Sequence, residues 1–181
     1  MQLIKSLSED YIVNRVILGS QEDIPVTLSS EEKELFLKFL EQEKEIKFIS
    51  TLDSIVALVK FNLDKEQMRV AGAKVRAVLS KDIQKVSIHG NKRIAISFIE
   101  GFMLSNYQFN KYFSEVEKIK NKLHLISIDD SFSDLDVQEL INITESVFWA
   151  RNMVNEPASF LNAEQLSKEL KLLEKDSELK V

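Results

Sequence analysis

Short, β-branched apolar runs alternate along this chain with capped amphipathic segments of ten or more residues, and that alternation restricts the fold more than any other feature. Strands separated by helices cannot pair as hairpins. They must cross over, which calls for an α/β sandwich whose sheet is largely parallel and whose connections are right-handed. Residues 11–18 read as the first such strand, closed by Gly19-Ser20. Ser29-x-x-Glu32 is a capping box, and Leu35, Phe36, Phe39 and Leu40 follow at helical spacing, so a helix is expected to about Glu45. Residues 46–50 and 54–62 are too short and too β-branched for helices and read as strands.

The pattern continues. Asp64-x-x-Gln67 caps a helix carrying Met68, Ala71, Gly72, Val75, Val78 and Leu79 on one face, where the small Ala71 and Gly72 allow close approach to a sheet. Residues 85–89 form a strand ended by Gly90-Asn91. Residues 93–112 read as a helix and 122–128 as a strand. Ser133-x-x-Asp136 opens a long helix with Leu140, Ile143, Val147, Ala150 and Val154 in a row, which should stop before Pro157 because proline disfavours helix in the residue preceding it. Asn162-x-x-Gln165 caps a final helix with Leu166, Leu170 and Leu173 on one side, and 179–181 begin what reads as another strand. A strand begun and not completed is the expectation for a chain cut from a longer product.

Composition closes several functional classes. There are no cysteines, hence no disulfide framework, thiolate metal site or cysteine nucleophile. Glycine occurs at only 4 of 181 positions, well below the roughly 7% of average proteins. Gly19, Gly72, Gly90 and Gly101 stand far apart, and neither a GxGxxG nor a Walker pattern is present. A formal charge of −5 argues against a dedicated phosphate-backbone binder. The first residues form no signal peptide or membrane anchor, so the cytoplasm is the expected location. The sequon at Asn142-Ile143-Thr144 then reads as a chance match.

Candidate chemistry is sparse. His89 and His124 fall in expected strands and lack carboxylate or imidazole neighbours at metal-ligand spacing, which favours hydrogen-bonded structural imidazoles. Asp129, Asp130, Asp134 and Asp136 cluster at a strand end, where a divalent cation could sit. Helix capping and the helix dipole explain them more cheaply. Phe98, Phe102, Tyr107, Phe109, Tyr112 and Phe113 could imitate a base-stacking platform, but only Lys111 and Lys118 interleave with them, and core packing is the better reading. No catalytic, cofactor-binding or metal-ligating residue is assigned to the chain from its own pattern.

Two stretches add a resemblance. Ile99-Glu100-Gly101-Phe102-Met103-Leu104-Ser105-Asn106-Tyr107-Gln108-Phe109-Asn110-Lys111-Tyr112 resembles the Glu-Gly-(apolar)-x-Leu-(small)-x-Tyr-x-Phe-(Asp/Asn)-x-Tyr segment of the leucyl (cytosol) aminopeptidase family. Ala150-Arg151-Asn152-Met153-Val154-Asn155-Glu156-Pro157-Ala158-Ser159 is similar to its Ala-Arg-Asp-Leu-Val-Asn-x-Pro signature. Asn152 replaces the usual Asp, and Asn162-Ala163 replace the usual Thr-Pro, both keeping capping chemistry.

The resemblance implies a three-layer α/β N-terminal domain similar to macro domains at residues 1–130, a linker helix at 131–156, and the start of a truncated peptidase domain at 157–181. It implies a non-catalytic assembly or scaffold role. The parent enzyme would remove N-terminal amino acids from peptides with two divalent metals, Zn or Mn, held about 3.5–4 Å apart in the catalytic domain. The family's Asn-Thr-Asp-Ala-Glu-Gly-Arg motif is absent from this sequence, so no cofactor is expected in this chain. Its expected partners are its own catalytic domain and the other subunits of the family hexamer, with peptide bound only through the missing domain, and neither nucleic acid nor membrane. A second reading, an independent macro-like module binding a nucleotide or ADP-ribose, would put a phosphate near Gly19 or Gly90.

Overall fold

A computed structural model describes residues 2–5, 14–25, 28–50, 54–61, 64–79, 82–116 and 120–176. Six strands form one mixed sheet: β1 (Gln2–Lys5), β2 (Arg15–Gly19), β3 (Ile46–Ser50), β4 (Ile55–Lys60), β5 (Lys85–His89) and β6 (Leu125–Ile128). Their spatial order is β1-β6-β5-β2-β4-β3, with every pair parallel except β3 against β4. The helices are α1 (Ser30–Leu40), α2 (Lys65–Val78), α3 (Lys92–Leu104), α4 (Asp134–Asn155) and α5 (Ala163–Asp176). The expected α/β sandwich with a largely parallel sheet is the observed fold. The expected strand at 179–181 lies outside the described residues.

Strand alternation divides the core into two layers. Val16, Leu18, Ala57, Val59, Val86, Ile88, Ile126 and Ile128 face α2, α3 and the first turns of α4, closed by Met68, Val75, Phe98, Phe102 and Leu140. Ile17 and Leu58, one residue out of phase, face Phe36 and Phe39 of α1. Phe36, Phe39, Phe98 and Phe102 are fully buried, and each such side chain stabilises the fold by about 1.5–3 kcal/mol.

The caps lie where the sequence puts them. Ser29 and Glu32 form the reciprocal box, the Glu32 amide donating to Ser29 Oγ and the Ser29 amide to Glu32 Oε2. The Gln67 amide donates to Asp64 at 2.7 Å and the Gln165 amide to Asn162 at 2.9 Å. Ser133 and Asp136 close the box that opens α4.

Four local expectations are corrected. Helix α1 ends at Leu40, not near Glu45, because Glu45 already accepts from the Lys60 amide beside the sheet. Helix α3 ends at Leu104, not at Tyr112. There the Asn106 side chain accepts from Arg76 Nε at 2.8 Å and Gln108 accepts from the Asn121 amide at 2.7 Å, so tertiary bonds hold an irregular segment in place of further turns. Strand β6 begins at Leu125, which leaves His124 outside it. Strand β1 was not expected at all.

The close approach enabled by small residues is also not to the sheet. A Cβ on Gly72 would lie 2.1 Å from Phe98 O, and one on Gly101 would lie 2.0 Å from Arg69 O. Helices α2 and α3 therefore touch backbone to backbone, with Arg69 and Glu100 forming an ion pair alongside, 2.9 Å from Nε to Oε2. The chain divides into two compact units, residues 1–145 and 146–181, the break falling within α4.

Candidate functional site

After β2 the chain turns to α1 on one face of the sheet, and after β5 it turns to α3 on the other. Open α/β sheets bind ligands outside the carboxyl ends of strands at such a reversal. A cleft of about 400 Å³ lies there, lined by Asp23, Pro25, His89, Asn91, Lys92 and Asp129 among others. A second, of about 320 Å³, opens at the ends of β2 and β4 beside Gly19, Gln21, Glu22 and Lys60. The nucleotide-binding reading named Gly90 and Gly19, which line the first and second cleft respectively; the clefts themselves arise from strand order, which the sequence does not display.

Two of the charged residues lining the first cleft, Lys92 and Asp129, have polar partners nearby. Lys92 Nζ lies 2.5 Å from Asp136 Oδ2. That carboxylate also accepts from the Ser133 amide at 2.7 Å and the Ser133 hydroxyl at 2.5 Å. The hydrogen bond from Lys92, then those from Ser133, hold the Asp136 carboxyl down at about 2. Asp129 Oδ1 accepts from the Ser131 amide at 3.0 Å and from its hydroxyl. Of the acidic cluster, Asp136 is thus engaged in capping and Asp129 in closing the loop. Among the described residues, no group of three or more His, Asp or Glu side chains could hold a metal ion.

His89 Nε2 lies 3.0 Å from Ser87 Oγ, the two alternating along β5 on the face toward α1. A hydroxyl beside an imidazole is the start of a nucleophile and its base. Here Ser87 is 6% exposed, so its hydroxyl is largely covered. His124 is exposed, with Nδ1 3.2 Å from Lys122 O. Gly90 has φ +157° and is packed on Leu18, whose Cβ would lie 2.7 Å from an added methyl. Its lack of a side chain is thus required by the protein's own packing. The phosphate approach of the nucleotide-binding reading gains no support from it.

The aromatic stretch separates into two groups. Phe98 and Phe102 stack in the core, 6.1 Å between centroids. Phe109 tilts on Tyr112 at 5.8 Å, and Tyr112 and Phe113 are exposed. The core reading holds for the first pair and fails for Tyr112 and Phe113, which the end of α3 releases to the surface.

The Glu100-Gly101 pair of the first motif is architectural: Gly101 permits the α2 contact and Glu100 fixes Arg69 beside it. The second motif ends α4 at Asn155 and turns at Pro157, whose carbonyl accepts from the Phe160 amide at 2.8 Å and the Leu161 amide at 2.9 Å.

No protein-family model matches the chain. In sequence it is 30% identical over 149 residues to a probable cytosol aminopeptidase of Clostridium tetani, covering 78% of this chain and 28% of that protein. It is 25% identical over 143 residues to the corresponding protein of Clostridium perfringens, covering 67% and 29%. A probable cytosol aminopeptidase of Sulfurihydrogenibium is 26% identical over 185 residues, covering 86% and 37%. The chain thus spans roughly a third of the length of these curated relatives.

In structure it matches a tomato leucine aminopeptidase mutant with a TM-score of 0.61 at 13% identity, over 96% of this chain and 41% of that one. It matches the bottromycin maturation enzyme BotP, solved in complex with Mn, with a TM-score of 0.59 at 16% identity, over 89% and 36%. The chain shares their α/β fold and is related in sequence to the cytosol aminopeptidases. Among the described residues, no helix is long and apolar enough to cross a membrane.

Proposed function

We propose that this chain is the non-catalytic N-terminal region of a two-metal leucyl aminopeptidase, with residues 1–130 as an assembly domain, 131–156 as a linker helix and 157–181 as the first elements of the peptidase domain. The observation that carries the reading is the similarity to three probable cytosol aminopeptidases, each extending well beyond the part that matches. The two motifs support it further.

In this reading the parent is cytoplasmic and cleaves N-terminal amino acids from peptides. Zn or Mn would polarise the peptide carbonyl and activate water in the catalytic domain. The described residues provide no ligand set for such a pair, so no step of hydrolysis is assigned to them. Their part is mechanical: the rigid α2–α3 clasp and the sheet present a surface on which the catalytic domain and neighbouring subunits dock.

Two assays test this. The 181-residue chain incubated with a leucyl anilide and Mn²⁺ or Zn²⁺ should give no turnover, whereas the product of the extended reading frame should hydrolyse it. Deleting residues 1–130 from that product should lower its assembled fraction in sedimentation. Turnover by the short chain, or unchanged assembly after the deletion, would overturn the proposal.

A further inference from the structure

A third cavity, of about 370 Å³, lies at the C-terminal ends of α2 and α3 and is lined by Arg76, Ala77, Leu79, Ser105 and Asn121. Arg76 is 4% exposed. It occupies the buried stripe of α2, eight residues after Met68 and four after Gly72, where an apolar side chain is the ordinary occupant. Its Nε donates to Asn106 Oδ1 at 2.8 Å and its Nη1 to Leu79 O at 3.1 Å. Both acceptors are neutral. The Nη2 atom is buried and has no hydrogen-bond partner, and no ion pair with Arg76 occurs among the described residues.

A guanidinium does not shed its proton in a protein. Burial lowers the pKa of Arg76 from the usual arginine value, but the group keeps its full charge. Carbonyl ends of the helices compensate only part of it. Buried charges are otherwise paired, because an uncompensated one costs several kcal/mol. A buried cation with an idle donor on the wall of a polar cavity is therefore half of an ion pair.

We propose that this cavity binds a single small oxyanion, a carboxylate or a phosphate, with Arg76 as its main donor and the Asn121 amide and Ser105 hydroxyl completing the cradle. Among the described residues the Asn121 side chain makes one contact, 3.5 Å from Nδ2 to Asn106 O, which leaves it hydrogen-bonding capacity. Ser105 Oγ donates to Phe102 O at 3.3 Å and can reorient. The site is remote in kind from peptide hydrolysis: it would tie the ends of α2 and α3 to the segment that follows them, and so couple anion level to the stability of the helix pair.

The test is thermal unfolding of the 181-residue chain titrated with inorganic phosphate and, separately, with acetate, each against sodium chloride at matched ionic strength. At least one arm should give a saturable rise in Tm of about 3 °C beyond chloride, with a matching shift of the Arg76 Nε–H resonance. The arm with the lower midpoint identifies the anion class. Arg76→Gln should abolish the saturable part. Asn121→Asp, which leaves the arginine in place and puts a carboxylate on the same wall, should abolish it too while melting above the parent in chloride alone. Responses no larger than chloride in both arms overturn the proposal, as does a saturable response that survives either substitution.

Discussion

At Gly101 two opposing effects can be separated by one methyl group. Alanine in a helix interior ordinarily improves on glycine by roughly 0.5–1 kcal/mol, but here the new Cβ would sit 2.0 Å from Arg69 O, a backbone atom that can yield only if α2 moves. Overpacking of that kind costs about 1–3 kcal/mol. Gly101→Ala should therefore lower the urea midpoint, and a raised midpoint would show that the helices do not touch there. At Asp136 the prediction concerns pH. Its carboxyl is held at about 2 against an ordinary 3.8, so the Lys92 and Ser133 contacts add stability that is fully present above about pH 4 and fades as the pH falls towards 2. Asp136→Asn should be less stable than the parent at neutral pH, with the gap closing between those limits; a gap independent of pH would contradict the assignment. Residue roles were only partly legible beforehand. Ser29, Asp64, Ser133 and Asn162 announce their caps because capping is local chemistry, whereas Val78, expected on the covered face, is 56% exposed and Arg76, which the sequence did not single out, is buried, because the approach of α3 decides which side of α2 is covered.

Among the elements, those with local signals were readable and those made by distant partners were not. Four of the five helices follow a cap read from the sequence, and α3 follows Asn91, read there only as the end of a strand. Strand β1 has four residues, too few for any period, and owes its existence to its parallel ladder with β6. The end of α3 is likewise set from outside, by Arg76 and Asn121. The same physics predicts unequal local stability. Helix α2 buries Met68, Ala71, Gly72 and Val75, while in α5 Leu166 and Leu172 are 39% and 53% exposed and Leu170 is half-buried. Hydrogen exchange should find the α2 amides protected far longer than those of α5 in a dilute monomer. Equal protection would mean that α5 is covered on its own.

For the molecule as a whole, strand order creates clefts at the carboxyl ends of β2, β4 and β5, which no stretch of sequence displays by itself. Lys92, Asp136, Asp129 and Ser131 nevertheless spend their polar groups on one another, and the two aminopeptidase-like segments serve helix contact and helix termination. In the proposed reading the chain serves as a support, with the hydrolytic metals held by another part of the parent protein. The most direct measurement is the metal content of the purified 181-residue chain after incubation with excess Mn²⁺ or Zn²⁺ and gel filtration. The account predicts substoichiometric metal and no change in Tm; two equivalents retained per chain would contradict it.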